Sequence, residues 1–275
     1  MMKTTKFLGL LMATTILGTT GTVLVSADEK SPTEVSTKAE VSFTPNEGGE
    51  TPPTDPGNPG EEVEPPEGGG ETGGKGALRI DWASNFDFGA NEIKNGGGDL
   101  VLPVLRKNDQ KLAHFVQVSD LRGEDEPDWT LSVKTTALEK QVSESEDNTR
   151  TDKDKITGAK ITFKPAPILA TGSNSSEEPT EKPVWEKEMI DLDGNDAQTL
   201  VSANGDGARG TWSMGMSDKV KGEELTGGKD DAINLVIPQS EVGKIRKGSY
   251  KAALNWNLSS TIVSEKAGFM APTTK

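Results

Sequence analysis

The chain of 275 residues contains no cysteine, one histidine and one tyrosine. Without cysteine there is no disulfide framework, no thiol nucleophile and no cysteine-ligated metal. With a single histidine, His114, there is no multi-histidine zinc site, and neither a metal-ligand cluster nor a nucleophile motif accompanies it. Basic residues are also scarce, 30 against 44 acidic ones, for a net charge of −14. Phosphate backbones are bound by clustered Lys and Arg, so nucleic acid is an unsuitable partner, as is an anionic membrane surface. Such a balance fits a soluble exported protein, or one that meets cationic surfaces or sugars. Aromatics make up only 5% of the chain, and the positions of its five tryptophans are therefore informative.

Long apolar runs are missing except at the start. Residues 1–27 read as a secretory signal peptide, with Lys3 and Lys6 ahead of an uncharged, mostly apolar stretch from Phe7 to Val23. Val25-Ser26-Ala27 places small residues at −3 and −1, so cleavage is expected before Asp28, and removal of the two lysines makes the exported chain more acidic still. The run is long enough to act as an uncleaved anchor, but its Thr and Gly content and its small-residue end favour cleavage. No membrane span is expected after it. The C-terminus, Ala271-Pro-Thr-Thr-Lys275, carries no hydrophobic tail and no Leu-Pro-x-Thr-Gly signal, so retention at a surface is expected to be non-covalent.

Residues 28–75 are polar and then rich in Pro, Gly, Glu and Thr, with Pro52-Pro53, Pro65-Pro66 and Gly68-Gly69-Gly70. A segment of that composition buries too little apolar area to offset its ordering entropy, and it is expected to be disordered. Val41-Ser42-Phe43, ahead of its Pro-rich part, is a candidate first strand of the domain that follows.

From residue 76 to 275 the texture changes to short alternating runs divided by turn residues such as Asn95-Gly-Gly-Gly98 and Asn204-Gly-Asp-Gly207. Expected strands are 78–82, 100–105, 113–119, 129–134, 159–164, 184–189, 199–203, 211–216, 232–237 and 250–258, with one short helix over 138–145. The fold class that follows is all-β, an antiparallel β-sandwich or barrel-like single domain with a Pro/Gly-rich disordered segment near its start. Charged stretches at 139–155 and 171–183 read as inserts.

Two of these runs share a pattern. In Asp128-Trp-Thr-Leu-Ser-Val-Lys134, Trp129, Leu131 and Val133 fall on one face of a strand; in Tyr250-Lys-Ala-Ala-Leu-Asn-Trp-Asn-Leu258, Tyr250, Leu254, Trp256 and Leu258 do. Each contains Trp-x-Leu. Upstream stand Leu78-Arg-Ile-Asp-Trp82 and Asn85-Phe-Asp-Phe-Gly89. This ordered set, behind a secretory leader and a Pro/Gly/acidic spacer, resembles the WxL family of Gram-positive surface proteins over roughly residues 76–275. The resemblance implies a non-enzymatic surface protein held non-covalently to the cell wall, through peptidoglycan or another wall glycan. It also implies co-assembly with other surface proteins, without cofactor or metal.

Trp129, Leu131, Trp256 and Leu258 are the expected wall- or partner-binding residues. Two roles stay open for them: an exposed aromatic platform that stacks on sugar faces or anchors a partner, or core packing beneath such a surface. A partner protein docked on these strands, with indirect wall retention, is the alternative function, and a wall hydrolase has no positive support. Trp82 and Trp212 read as core, and Trp185, among Glu186, Lys187 and Glu188, as exposed. Asp191-Leu-Asp-Gly-Asn-Asp196 has the composition of a cation loop but not its spacing, and reads as a turn.

Overall fold

A computed structural model describes residues 37–47, 49, 51–64, 70–71, 75–93, 97–106, 112–123, 127–141, 155–171, 181–219 and 228–260. The expected leader and most of the two charged inserts lie outside these residues. The chain divides at residue 43 into a unit up to Ser42 and a unit from Phe43 onward. In the first unit the described residues, 37–42, belong to no strand and are exposed.

The second unit is built from short strands. The first six are β1 (Thr54–Asp55), β2 (Asn58–Glu62), β3 (Gly70–Glu71), β4 (Leu78–Ala83), β5 (Leu100–Leu105) and β6 (Phe115–Asp120). Then come β7 (Asp128–Thr135), β8 (Leu138–Lys140), β9 (Lys155–Ile156), β10 (Lys160–Phe163), β11 (Leu169–Thr171) and β12 (Val184–Trp185). The last six are β13 (Met189–Asp191), β14 (Gln198–Asn204), β15 (Gly210–Gly215), β16 (Lys229–Ile237), β17 (Tyr250–Lys251) and β18 (Leu254–Ser259). Among the described residues, helix is confined to a 3-10 turn, Gly205–Ala208, and a single α turn, α1 (Gln239–Val242). No helix there is long and apolar enough to cross a membrane.

Three larger sheets enclose one hydrophobic core. Their orders are β13-β10-β16-β5, β11-β15-β6-β4-β3 and β12-β14-β7-β18, with β17-β8-β9 and β1-β2 as small additions. All strand pairs within these sheets run antiparallel. The all-β, antiparallel expectation therefore holds, and alternation explains why. In β7, Trp129, Leu131 and Val133 point into the core while Thr130, Ser132 and Lys134 point outward.

The central strands β6 and β15 are buried at every position, so both of their faces are covered. One face carries Val116, Val118, Trp212 and Met214 into the core. The other carries Gln117 and Ser119, which no core could accept without partners. The Pro-rich segment supplies them. Gln117 Oε1 accepts from Thr54 N (2.9 Å) and Thr54 Oγ1 (3.0 Å), and its Nε2 donates to the Pro52 carbonyl (3.1 Å). Ser119 Oγ donates to Asp81 (2.6 Å), which is paired with Arg79 at 2.9 Å; Arg79 also donates to Gly76 O (2.9 Å) and to the Thr51 hydroxyl. Burial pushes the Asp81 carboxyl above its ordinary range, against the opposing pull of Ser119 and Arg79. Within the low-complexity segment, then, Thr51–Thr54 is held against the central sheet and β1-β2 forms a hairpin.

Three local expectations are corrected. Val41–Phe43 is not a strand: Val41 is 78% and Phe43 89% exposed. Alternation supplies a face, but a strand also needs a neighbouring edge, and no described residue offers one there. The expected helix from Leu138 begins instead as strand β8, paired with β17 on one side and β9 on the other. The run 184–189 is two strands in different sheets, β12 and β13.

Candidate functional site

A cleft of about 1130 Å³ opens on the domain surface. One wall is the segment from Asn85 to Gly89, and the facing wall is formed by residues 245–256. Between them lies an aliphatic floor that includes Leu100, Leu102 and Leu235.

The Asn85-Phe-Asp-Phe-Gly89 wall is held by its backbone. Asp87 O accepts from Leu105 N (2.7 Å), which ties the segment to β5, and Asp87 Oδ1 accepts from Gly89 N (2.8 Å). Gly89 has φ +69°, a conformation that glycine adopts without strain, and a Cβ there would also stand 2.6 Å from Leu105 Cδ1 and push it aside. Phe86 and Phe88 are half-buried, with ring centroids 6.5 Å apart and planes 11° apart. Phe86 also stacks on His114, at 5.4 Å and 9°.

His114 stands behind this wall with its Nδ1 enclosed and without a partner. Burial lowers its pKa to about 4, helped by the nearby Arg106 charge and opposed by Asp230. It is therefore a neutral packing ring at ordinary pH. Arg106 and Asp230 form a buried ion pair, in which Arg106 also donates to Ser217 Oγ (3.1 Å) and Lys219 O (2.9 Å).

The facing wall carries Tyr250, Leu254 and Trp256, all half-buried. Tyr250 accepts from Arg246 N through its hydroxyl (3.1 Å), which fixes the ring. Arg246, Lys247 and Lys251 are exposed on this side, whereas Asp87 and Glu92 are exposed on the other. An apolar, aromatic trough between walls of opposite charge suits a ligand with flat apolar faces and polar or zwitterionic substituents.

The four residues expected from the sequence separate into two kinds. Trp129 and Leu131 are 1% and 0% exposed. Trp129 Nε1 donates to Ala208 O (2.8 Å) of the 3-10 turn, so even its polar atom is satisfied inside. Gly207 in that turn has no room for a Cβ, which would meet Lys182 N at 2.9 Å. Trp256 and Leu258 are half-buried on the edge strand, and Trp256 lines the cleft. β18 pairs with β7 in a register that sets Leu258 opposite Leu131 and Trp256 opposite Val133, so both motifs share the inner face of one sheet.

Phe86, Phe88 and Tyr250 were not expected as site residues. The signal was present: two phenylalanines at i and i+2 in a chain with seven, and the single tyrosine, each beside a motif. Trp82 and Trp212 are core, at 1% and 0% exposure. Trp185 is half-buried rather than exposed, edge-on to Phe163 at 5.3 Å. The acidic segment after β13 is a turn: Asp193 Oδ1 accepts from Asn195 N (3.0 Å), and Gly194 has φ +76°.

An antiparallel domain with an aromatic surface cleft has the form of a binding module. The model of the WxL domain, a surface cell wall-binding domain, matches residues 30–261, most of the chain. The chain belongs to the WxL domain family. That family is one of cell wall-binding surface domains and not of enzymes, and it places the protein at the cell wall, outside the cell. No curated protein and no solved structure matches the chain.

Proposed function

We propose that this is a secreted, non-enzymatic protein that binds peptidoglycan non-covalently through the cleft between Phe86/Phe88 and Tyr250/Trp256. The observation that carries the reading is convergence. Two features separated by more than 150 residues in sequence, Asn85–Gly89 and Tyr250–Trp256, form facing walls of the same cleft. Half-exposed rings offer stacking surfaces to sugar faces, and walls of opposite charge complement the amino and carboxyl groups of stem peptides. Trp129 and Leu131 act from beneath by fixing β7, on which β18 is laid.

Binding of the purified protein to protein-free sacculi tests this. The native chain should co-sediment with them, and Trp256→Ala and Phe88→Ala variants that melt near the native temperature should not. Native protein that stays in the supernatant excludes direct wall recognition.

A second reading, docking of a partner surface protein with indirect wall retention, is favoured by β18 itself. It ends its sheet with no neighbour beyond it among the described residues.

A further inference from the structure

We propose that the open edge of β18 receives residues 37–43 from a second copy of this chain as an added strand. Two independent observations meet here.

The first is the edge. Ala253 spends both backbone groups on the β7 side: its N–H donates to Thr136 Oγ1 (2.9 Å), and its carbonyl accepts from Thr136 N (2.9 Å). Backbone direction alternates along an antiparallel strand. Asn255, Asn257 and Ser259 therefore bond toward β7, opposite Lys134, Ser132 and Thr130. The N–H and C=O groups of Leu254, Trp256 and Leu258 point away from β7, to the side on which no described strand is hydrogen-bonded to β18. The strand has no proline, and no register shift interrupts its pairing with β7. Those are among the usual protections of an edge.

The second is the segment. Thr37-Lys-Ala-Glu-Val-Ser-Phe43 alternates with period 2, with Thr37, Ala39, Val41 and Phe43 on one face and Lys38, Glu40 and Ser42 on the other. All of it is exposed and in no strand, and Phe43 at 89% and Val41 at 78% are the two most exposed large hydrophobics among the described residues. Seven residues match the six of β18. Paired there, Val41 and Phe43 would extend the apolar face of Leu254, Trp256 and Leu258. Lys38, Glu40 and Ser42 would extend the polar face of Asn255, Asn257 and Ser259.

The occupant is a second copy because the single chain leaves this segment exposed, and because charge permits it. The segment carries one Lys and one Glu, so it is neutral in a chain of net charge −14, and it meets an edge whose own six residues are uncharged. A donor segment at one end and an acceptor edge elsewhere form a head-to-tail contact. Such contacts close into rings or run on as filaments.

The absence of cysteine makes the test clean. Ser42→Cys and Asn257→Cys variants, mixed and mildly oxidised, should give a cross-linked dimer that neither yields alone. Sedimentation of the native protein should show assembly that grows with concentration. The double variant Val41→Asp/Phe43→Asp, altered only at exposed positions, should sediment as a monomer with an unchanged melt. A native protein that is monomeric at all concentrations overturns the proposal. So does a chain carrying both cysteines that forms only an internal link. Sedimentation without sacculi reads assembly alone, and the Val41→Asp/Phe43→Asp variant changes no cleft-lining residue, so failure of assembly and failure of sacculus binding are told apart.

Discussion

Leu131 stands directly across the β7–β18 ladder from Leu258. Each is the last residue of a Trp-x-Leu motif, so the two motifs meet leucine to leucine on antiparallel neighbours. The tryptophans then run in opposite directions from that pair. Trp129 goes to the end covered by the 3-10 turn, and Trp256 goes, opposite Val133, to the end beside the cleft. One motif is packing and the other reaches the surface, although their local sequences are alike.

That difference should appear as a division of phenotypes. Trp129→Ala removes a fully buried ring and leaves the Ala208 carbonyl without its donor, at a cost of about 3–5 kcal/mol. Trp256→Ala removes a half-exposed ring and should cost less than about 2 kcal/mol. Urea titrations followed by circular dichroism measure both. Equal losses would contradict the assignment of Trp129 to the core and Trp256 to the cleft.

The leucine pair should be coupled. Leu131→Ala is expected to lower stability by about 2–5 kcal/mol. Leu258→Ala should do less, since Leu258 is only partly buried. Residues in direct cross-strand contact are non-additive, so the double variant should lose less than the sum, by about 0.5–1 kcal/mol. A cycle that closes additively would mean that the two side chains do not support each other.

Why Trp129 and Trp256 differ was not legible in the sequence. Alternation reports that a strand has an apolar face; it does not report how many neighbours the strand has. β7 lies between β14 and β18 and is covered, while β18 ends the sheet and is not. The same limit explains the short elements. Leu138–Lys140 is too short to show a period, and only its two flanking strands make it β rather than helix. Alternating runs such as Asp128–Thr135 and Lys160–Phe163 were readable because one face had to be buried. The role of Thr51–Thr54 was hidden for a different reason: what orders it is the set of polar groups on β4 and β6, not its own composition.

That polar set yields a third prediction. Arg79→Met removes the cation beside Asp81 and leaves a buried carboxylate with only neutral partners, at a cost of about 3 kcal/mol. The Thr51 contact is lost with it, so limited proteolysis should cut the Pro-rich segment faster. Adding Asp81→Asn to Arg79→Met should restore part of the stability by removing the unpaired charge. If the double variant is no more stable than Arg79→Met, the ion pair is not what holds this layer.

The last prediction concerns acid. His114 titrates at about 4 in the folded chain against an ordinary value of 6.5, because burial disfavours its charged form and Arg106 repels it. Above pH 6.5 both the folded and unfolded chains carry the neutral ring, and the full stability is present. Between 6.5 and about 4 the unfolded chain takes up a proton that the folded chain refuses, so stability falls through that window and no further below it. The loss amounts to about 3 kcal/mol for a shift of this size. His114→Phe keeps an aromatic ring against Phe86 and removes the titrating nitrogen. Its unfolding free energy should therefore decline less than that of the native chain between pH 7 and 4.5, by denaturant titration at each pH. Curves of equal slope would show that acid sensitivity arises elsewhere. Because the folded ring stays neutral down to about pH 4, the Phe86 wall it supports is unchanged across this window, and attachment of the folded chain to sacculi should hold there in the native protein and the variant alike.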